Sequence, residues 1–233
     1  MVKRDSGSGR TQAERAGATR AALIAAARRL FATKGYSRSG REEIVAAAGV
    51  TRGALQHHFG DKQALFLAVY EAVEQEVVTA TAEAAMSVGD DPVEQLRAGC
   101  QAYLDAVLDP AVQRICGIDG PAVLPNDVRQ DVTDRYALGL VREAVQGAVT
   151  SGAIDDAPVE PLTRMLLAGV MAAAQYVATA PDPAAARVEA GRTVDLLLDN
   201  LKRVGRPRPL TGASAPSEPA AHRGGGGSPR RWA

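Results

Sequence analysis

Helix punctuation recurs along this chain so regularly that it leaves little room for any other secondary structure. Three Asp-Pro pairs, Asp91-Pro92, Asp109-Pro110 and Asp182-Pro183, each set a capping carboxylate before a proline suited to the first helical position. Apolar residues return at three- and four-residue steps: Leu23, Ala26/Ala27 and Leu30/Phe31, then Leu65, Val69 and Val73, and late in the chain Val194, Leu197/Leu198 and Leu201. Stops are equally plain, with Gly35 after Lys34, Gly49 after Ala48, and Gly205 and Pro207 after Lys202 and Arg203. Aromatic residues make up only 4% of the 233, too thin a supply for an all-β protein. The chain reads as all-α.

The spacing predicts a helix from Thr19 to Lys34, preceded by a flexible basic arm over residues 1–18 that is rich in Gly, Ser, Arg and Thr. A short helix opens at Ser39, whose hydroxyl caps the first amides while Glu42 reaches back. A second short helix runs from Thr51 to His57, and Asp61 caps a longer one. Asn126 to Ser151 reads as one long helix along Val128, Val132, Tyr136, Leu140, Ala144 and Ala148. Two final helices cover Pro161 to Ala180 and Ala184 to Val204; residues 205–233, rich in Pro, Gly, Ser and Ala, read as a disordered tail.

Charge is uneven although it sums to zero. Residues 1–65 hold 12 Lys/Arg against 5 Asp/Glu, whereas 66–203 hold 10 against 21. A basic amino-terminal segment ahead of an acidic body suggests that one end meets a polyanion. No run of about 18 apolar residues appears, so no membrane span is expected. The amino end lacks the apolar stretch of a secretory signal. Two cysteines, Cys100 and Cys116, cannot build a disulfide framework, and a cytoplasmic protein is expected.

Two short helices joined across Gly49 form a helix-turn-helix pattern, whose second helix can enter a major groove about 12 Å wide. Thr51 and Arg52 stand at the amino end of that helix, where base contacts originate, and Gln56 and His57 extend from its outer turn. Gln56 can donate to phosphate or pair with adenine. Leu55 and Phe59 are spaced to pack inward, and Gly53 allows close backbone approach. Ser39 and Arg41, at the start of the first short helix, and Lys62, at the start of the long one, complete the expected DNA surface, with Arg41 and Lys62 on phosphates.

These residues also carry a resemblance. Thr19-Arg20, Leu30-Phe31, Gly35-Tyr36, Ile44, Ala47-Ala48-Gly49-Val50-Thr51, Gly53, Leu55, His58-Phe59, Lys62 and Ala64-Leu65 resemble, in order, the tetracycline-repressor (TetR) family. The stretches Asp109 to Ile115 and Asp119 to Leu124 are similar to a regulatory-domain pattern of one branch of it. The resemblance implies a three-helix DNA-binding domain (19–66) and a helical effector-binding and dimerisation domain (67–204). It implies a homodimer closed by the two final helices, reading a palindromic operator in double-stranded DNA, with a small apolar effector that releases it. The implied function is a ligand-responsive transcriptional regulator acting as a repressor.

Tyr103, Val107, Ile115, Ile118, Met165 and Gln175 are the expected lining of the effector pocket, from their apolar or polar-tipped character on central helices. No metal or cofactor is expected: His57 and His58 point about 100° apart on a helix, with no Cys, Asp or Glu cluster beside them. Cys100 and Cys116 read as small buried hydrophobes rather than a redox switch. No Ser/His/Asp set or carboxylate pair of convincing spacing appears, so the chain does not read as an enzyme. A helical adaptor, or a helical enzyme with an incidental basic face, is the alternative.

Overall fold

A computed structural model describes residues 11–154 and 157–203, with the side chains of 202 and 203 outside the description. The first ten residues of the expected arm and the whole of the expected tail also lie outside the described residues. Among the described residues every regular element is helical. In chain order these are α1 (Gln12–Lys34), α2 (Arg41–Ala48), α3 (Arg52–Phe59), α4 (Lys62–Met86), α5 (Pro92–Ala106) and α6 (Pro110–Val112). A π-helix (Gln113–Asp119) and α7 (Gly120–Val123) follow, then α8 (Asn126–Tyr136), α9 (Leu138–Thr150), α10 (Val159–Thr179) and α11 (Pro183–Arg203).

The three Asp-Pro starts form as expected. Asp91 accepts from the amides of Val93 and Glu94, Asp109 from Ala111 and Val112, and Asp182 from Ala185. Two boundaries differ. α1 begins at Gln12 rather than Thr19, because Thr11 accepts from the Glu14 amide while Glu14 accepts from that of Thr11, a reciprocal cap that outlasts the polar composition. Residues 12–18 are therefore helix, not arm. The stretch from Asn126 to Ser151 is two helices that break at Ala137: α8 packs on α4, and α9 packs on α5 and α10. The apolar spacing of Val132, Tyr136, Ala144 and Ala148 runs across the break, although Leu140 between them is exposed.

Two larger cores organise the described residues, with a smaller cluster of Val93, Ala148 and Ile154 besides. The first joins α1 to α4 around Leu23, Phe31, Ile44, Leu55 and Phe66, and extends to Ile115, Leu124 and Val132. At its centre the rings of Phe31, Tyr36 and Phe66 meet at 5.1 to 5.8 Å, the geometry aromatic side chains favour. The second joins α5, α9, α10 and α11 around Leu104, Val145, Val177, Val194 and Leu198. α4 buries Leu65, Phe66, Val69, Tyr70, Val73 and Val77 in the first core and packs along α5, which contributes to the second. The α5–α11 seam is held by Arg97, which reaches Asp195 and Asp199 at 2.8 and 2.7 Å, and by Arg187 on Asp105 at 2.7 Å. Among the described residues no helix is long and apolar enough to cross a membrane.

Candidate nucleic-acid interface and enclosed chambers

The turn between α2 and α3 is built by backbone and cap alone. Gly49 ends α2 at φ +67°, a conformation that glycine adopts without a side-chain clash, and its neighbour Val50 donates to the Val45 carbonyl at 3.1 Å. Thr51 caps α3 by accepting from the Ala54 amide at 3.2 Å. Leu55 is buried and Phe59 half-buried on one side of α3. The opposite side therefore presents Thr51, Arg52, Gly53, Gln56 and His57 to solvent together. His58 is half-buried between the rings of His57 and Phe59, the packing role expected of it. Arg41 is exposed in the first turn of α2. Arg52 meets Glu42 of α2 at 3.2 Å, with both side chains about 70% exposed.

Two expected DNA residues are engaged elsewhere. Ser39 is 0% exposed; its hydroxyl donates to the Gly35 carbonyl at 2.8 Å, and Gly40, not Ser39, is the cap of α2. It locks the turn after α1 instead of facing a groove. Lys62 is half-buried, donating from Nζ to the Tyr36 and Ser39 carbonyls at 2.8 and 3.1 Å, with its ammonium 4.1 Å from the centre of the Tyr36 ring. Burial, and then the charge of Arg41, pull its pKa below the ordinary lysine value. Its ammonium is thus a staple across the α1–α2 turn rather than a free phosphate contact. Arg20, which sequence reasoning did not place, lies exposed on α1 with its guanidinium 5.2 Å from the Phe59 ring, beside the end of α3. Only the tertiary fold brings the two together.

Between α4, the π-helix and the helices that follow lie two half-open chambers with a common wall. One, of about 120 Å³, is apolar, lined by residues such as Val78, Leu96, Val141, Leu166, Val170 and Leu198. The other, of about 290 Å³, is the more polar of the two, with Tyr70, Glu74, Tyr103, Cys116, Arg129 and Gln175 on its wall, and is called the polar chamber below. Glu74, Tyr103 and Met171 border both. Of the expected lining, Tyr103, Val107 and Gln175 are in place. Ile115 is not: it packs fully into the amino-terminal core. Ile118 is 40% and Met165 72% exposed, because the widened π-helical turn aims Ile118 outward and Met165 lies on the outer face of α10.

Glu74, Arg129 and Tyr70 were missed. A signal existed for Glu74, a carboxylate followed by Val77 and Val78 at three- and four-residue steps on α4. Burial raises its pKa, partly opposed by hydrogen bonds from Tyr70 and Cys116. Burial likewise raises the Cys116 thiol well above its ordinary value and pushes Cys100 up to about 11. Both thiols are free, Cys100 on the wall of the apolar chamber and Cys116 on that of the polar one.

The π-helix connects these chambers to the amino-terminal domain. Cys116 and Gly117 lie on the polar chamber, and a Cβ on Gly117 would stand 2.4 Å from that of Ala178, so only glycine lets the π-helix pass α10. Gln175 of α10 donates to the Gly117 carbonyl at 2.9 Å. At the far end, the Asp119 carboxylate accepts from the backbone amide of Tyr36 at 2.7 Å and from Arg114 at 3.2 Å. Arg28 of α1 adds a two-pronged ion pair to Glu76 of α4, at 2.6 and 2.7 Å.

These features define a helix-turn-helix protein with a chambered helical domain. Residues 23–69 match the bacterial regulatory proteins of the tetR family, and residues 93–201 match the tetracyclin repressor-like C-terminal domain. A TetR-family transcriptional regulator from Pectobacterium atrosepticum is 31% identical, with a TM-score of 0.72 over 82% of this chain and 97% of that one. The transcriptional regulator CymR of Pseudomonas putida is 33% identical over 53% of this chain, and TtgR, from the same species, 36% over 44%. The matched stretches span 62% and 49% of those two relatives. The chain belongs to the TetR family.

Proposed function

We propose that this protein is a ligand-responsive transcriptional repressor that binds a palindromic operator as a homodimer and leaves it when a small molecule occupies the chambers. The observation that carries this reading is the common exposure of Thr51, Arg52, Gln56 and His57 on one face of α3, with Leu55 anchoring the opposite face. One such helix reaches few base pairs, and each good bidentate contact discriminates by about 1–3 kcal/mol. Two copies on a twofold axis double that energy and read inverted half-sites about one helical turn, or a multiple, apart.

Support for a dimer comes from α10 and α11, which keep Met165, Tyr176, Val188, Leu196 and Leu197 exposed. Support for a response comes from the π-helix, which lies on the polar chamber and holds the end of α1 through Asp119. An effector that favours the DNA-incompetent arrangement by about 1–3 kcal/mol weakens operator binding 5- to 150-fold. The ligand is bound and released unchanged, so the reading involves no turnover, and the protein acts in the cytoplasm, where its DNA lies.

The test is selection of bound sequences from random duplex DNA, followed by anisotropy titration. An inverted repeat is expected, and Arg52→Ala should lower affinity for it roughly 5- to 150-fold while relaxing preference at one position per half-site. Enrichment of no sequence, or of an unrepeated one, overturns the reading.

A further inference from the structure

Arginines that bridge elements in this molecule meet carboxylates: Arg28 meets Glu76, Arg97 meets Asp195 and Asp199, Arg135 meets Glu71, and Arg187 meets Asp105; within the π-helix Arg114 meets Asp119. Arg129 does not. Its Nη2 donates to Asn126 Oδ1 at 3.0 Å, and among the described residues no carboxylate lies within ion-pair distance of it. Its Nε is sealed from water without an acceptor, although its side chain borders the polar chamber. The other buried side-chain polar atom without a partner, among the described residues, is Thr81 Oγ1, on the wall of the apolar chamber. Both orphans stand at the chambers. A sealed guanidinium edge with no anion is costly to keep, and a ligand that supplies the acceptor recovers that cost.

Resting on the reading of these chambers as the effector site, we propose that the effector is a monocarboxylic acid, its carboxylate against Arg129 and its apolar body against the neighbouring apolar chamber. The alternatives fit the walls less well. An amine drawn to Glu74 would leave Arg129 unmet and set a second cation beside it. A neutral amide would satisfy the geometry but not the charge. The carboxylate at risk of repelling an acid is Glu74. Burial raises its pKa against the opposing hydrogen bonds from Tyr70 and Cys116, and Tyr103 stands on the same wall as a further hydrogen-bonding group. A protonated Glu74 donates to an entering carboxylate instead of opposing it.

The experiment is calorimetric titration of the full chain, without DNA, against octanoate, phenylbutyrate, octanamide and octylamine. At least one of the two acids should bind saturably at one per chain, with the amide and amine weaker by roughly tenfold or more. Arg129→Gln should weaken the acid by roughly tenfold or more. Arg129→Lys, which keeps the charge without the planar fork, should recover part of that loss, and Glu74→Gln should bind the acid at least as tightly as the parent. Operator binding by each variant, on the selected sequence, certifies its fold. The proposal is overturned if neither acid binds, if octylamine binds best, or if Arg129→Gln binds acid like the parent. Any of these leaves the repressor reading to its own DNA selection.

Discussion

Lys62 shows how much a single side chain's surroundings decide. From sequence it is a cation at a helix start and a natural phosphate ligand. In the structure its ammonium is held by two carbonyls and the Tyr36 ring. Lys62→Met keeps the stem and removes the donors, stranding two acceptors next to a buried turn. The expected loss is about 1–3 kcal/mol of stability, read by urea denaturation, with the salt dependence of operator binding unchanged. A variant of unaltered stability whose salt slope falls by about one unit would return Lys62 to the DNA surface. Arg52 and Glu42 belong to the same scale. Their pair is exposed on both sides, so it contributes little, and DNA can displace Glu42 at small cost.

At the scale of elements, legibility followed locality. The Asp-Pro caps, Gly49 and the inward Leu55 were readable because each depends on neighbours within one turn. The exposed face of α3 was readable for the same reason. Ser39 was misjudged because its acceptor, Gly35, competes with the cap it resembles. The break at Ala137 was hidden by an apolar stripe that serves two packing partners in turn. The π-helix has no sequence rule of its own; Gly117 passes Ala178 within it and Asp119 at its end reaches Tyr36, contacts that only the tertiary fold supplies.

That last contact makes the π-helix a brace between domains, and it can be tested as one. Asp119→Ala removes the acceptor of the Tyr36 amide and the partner of Arg114. Amide exchange around Tyr36 should rise by roughly 5- to 150-fold, corresponding to about 1–3 kcal/mol of lost local protection, while exchange within α10 and α11 stays as before. Unchanged protection at Tyr36 would mean that the brace carries no load between chamber and recognition helix.

For the whole molecule the open question is what covers α10. Met165, Gly169, Ala172 and Tyr176 recur at four-, three- and four-residue steps and are all exposed, so they form one stripe. Gly169 costs the helix about 1 kcal/mol relative to alanine, and nothing within the chain calls for it: a Cβ there would meet no atom within 4 Å. A second α10 lying against the stripe accounts for both the small residues and the exposed Met165 and Tyr176. Gly169→Glu turns this into a measurement, since in a single chain the new side chain points into open space and improves helix propensity. Light scattering should report a dimer for the parent and a monomer for the variant, with the helical circular dichroism spectrum intact. Operator affinity should fall by roughly 10²–10⁴, the avidity lost when two half-site readers are unlinked. A variant that stays dimeric and binds the operator as before would place the twofold axis on another face, and the spacing of the two α3 helices would have to be derived from there.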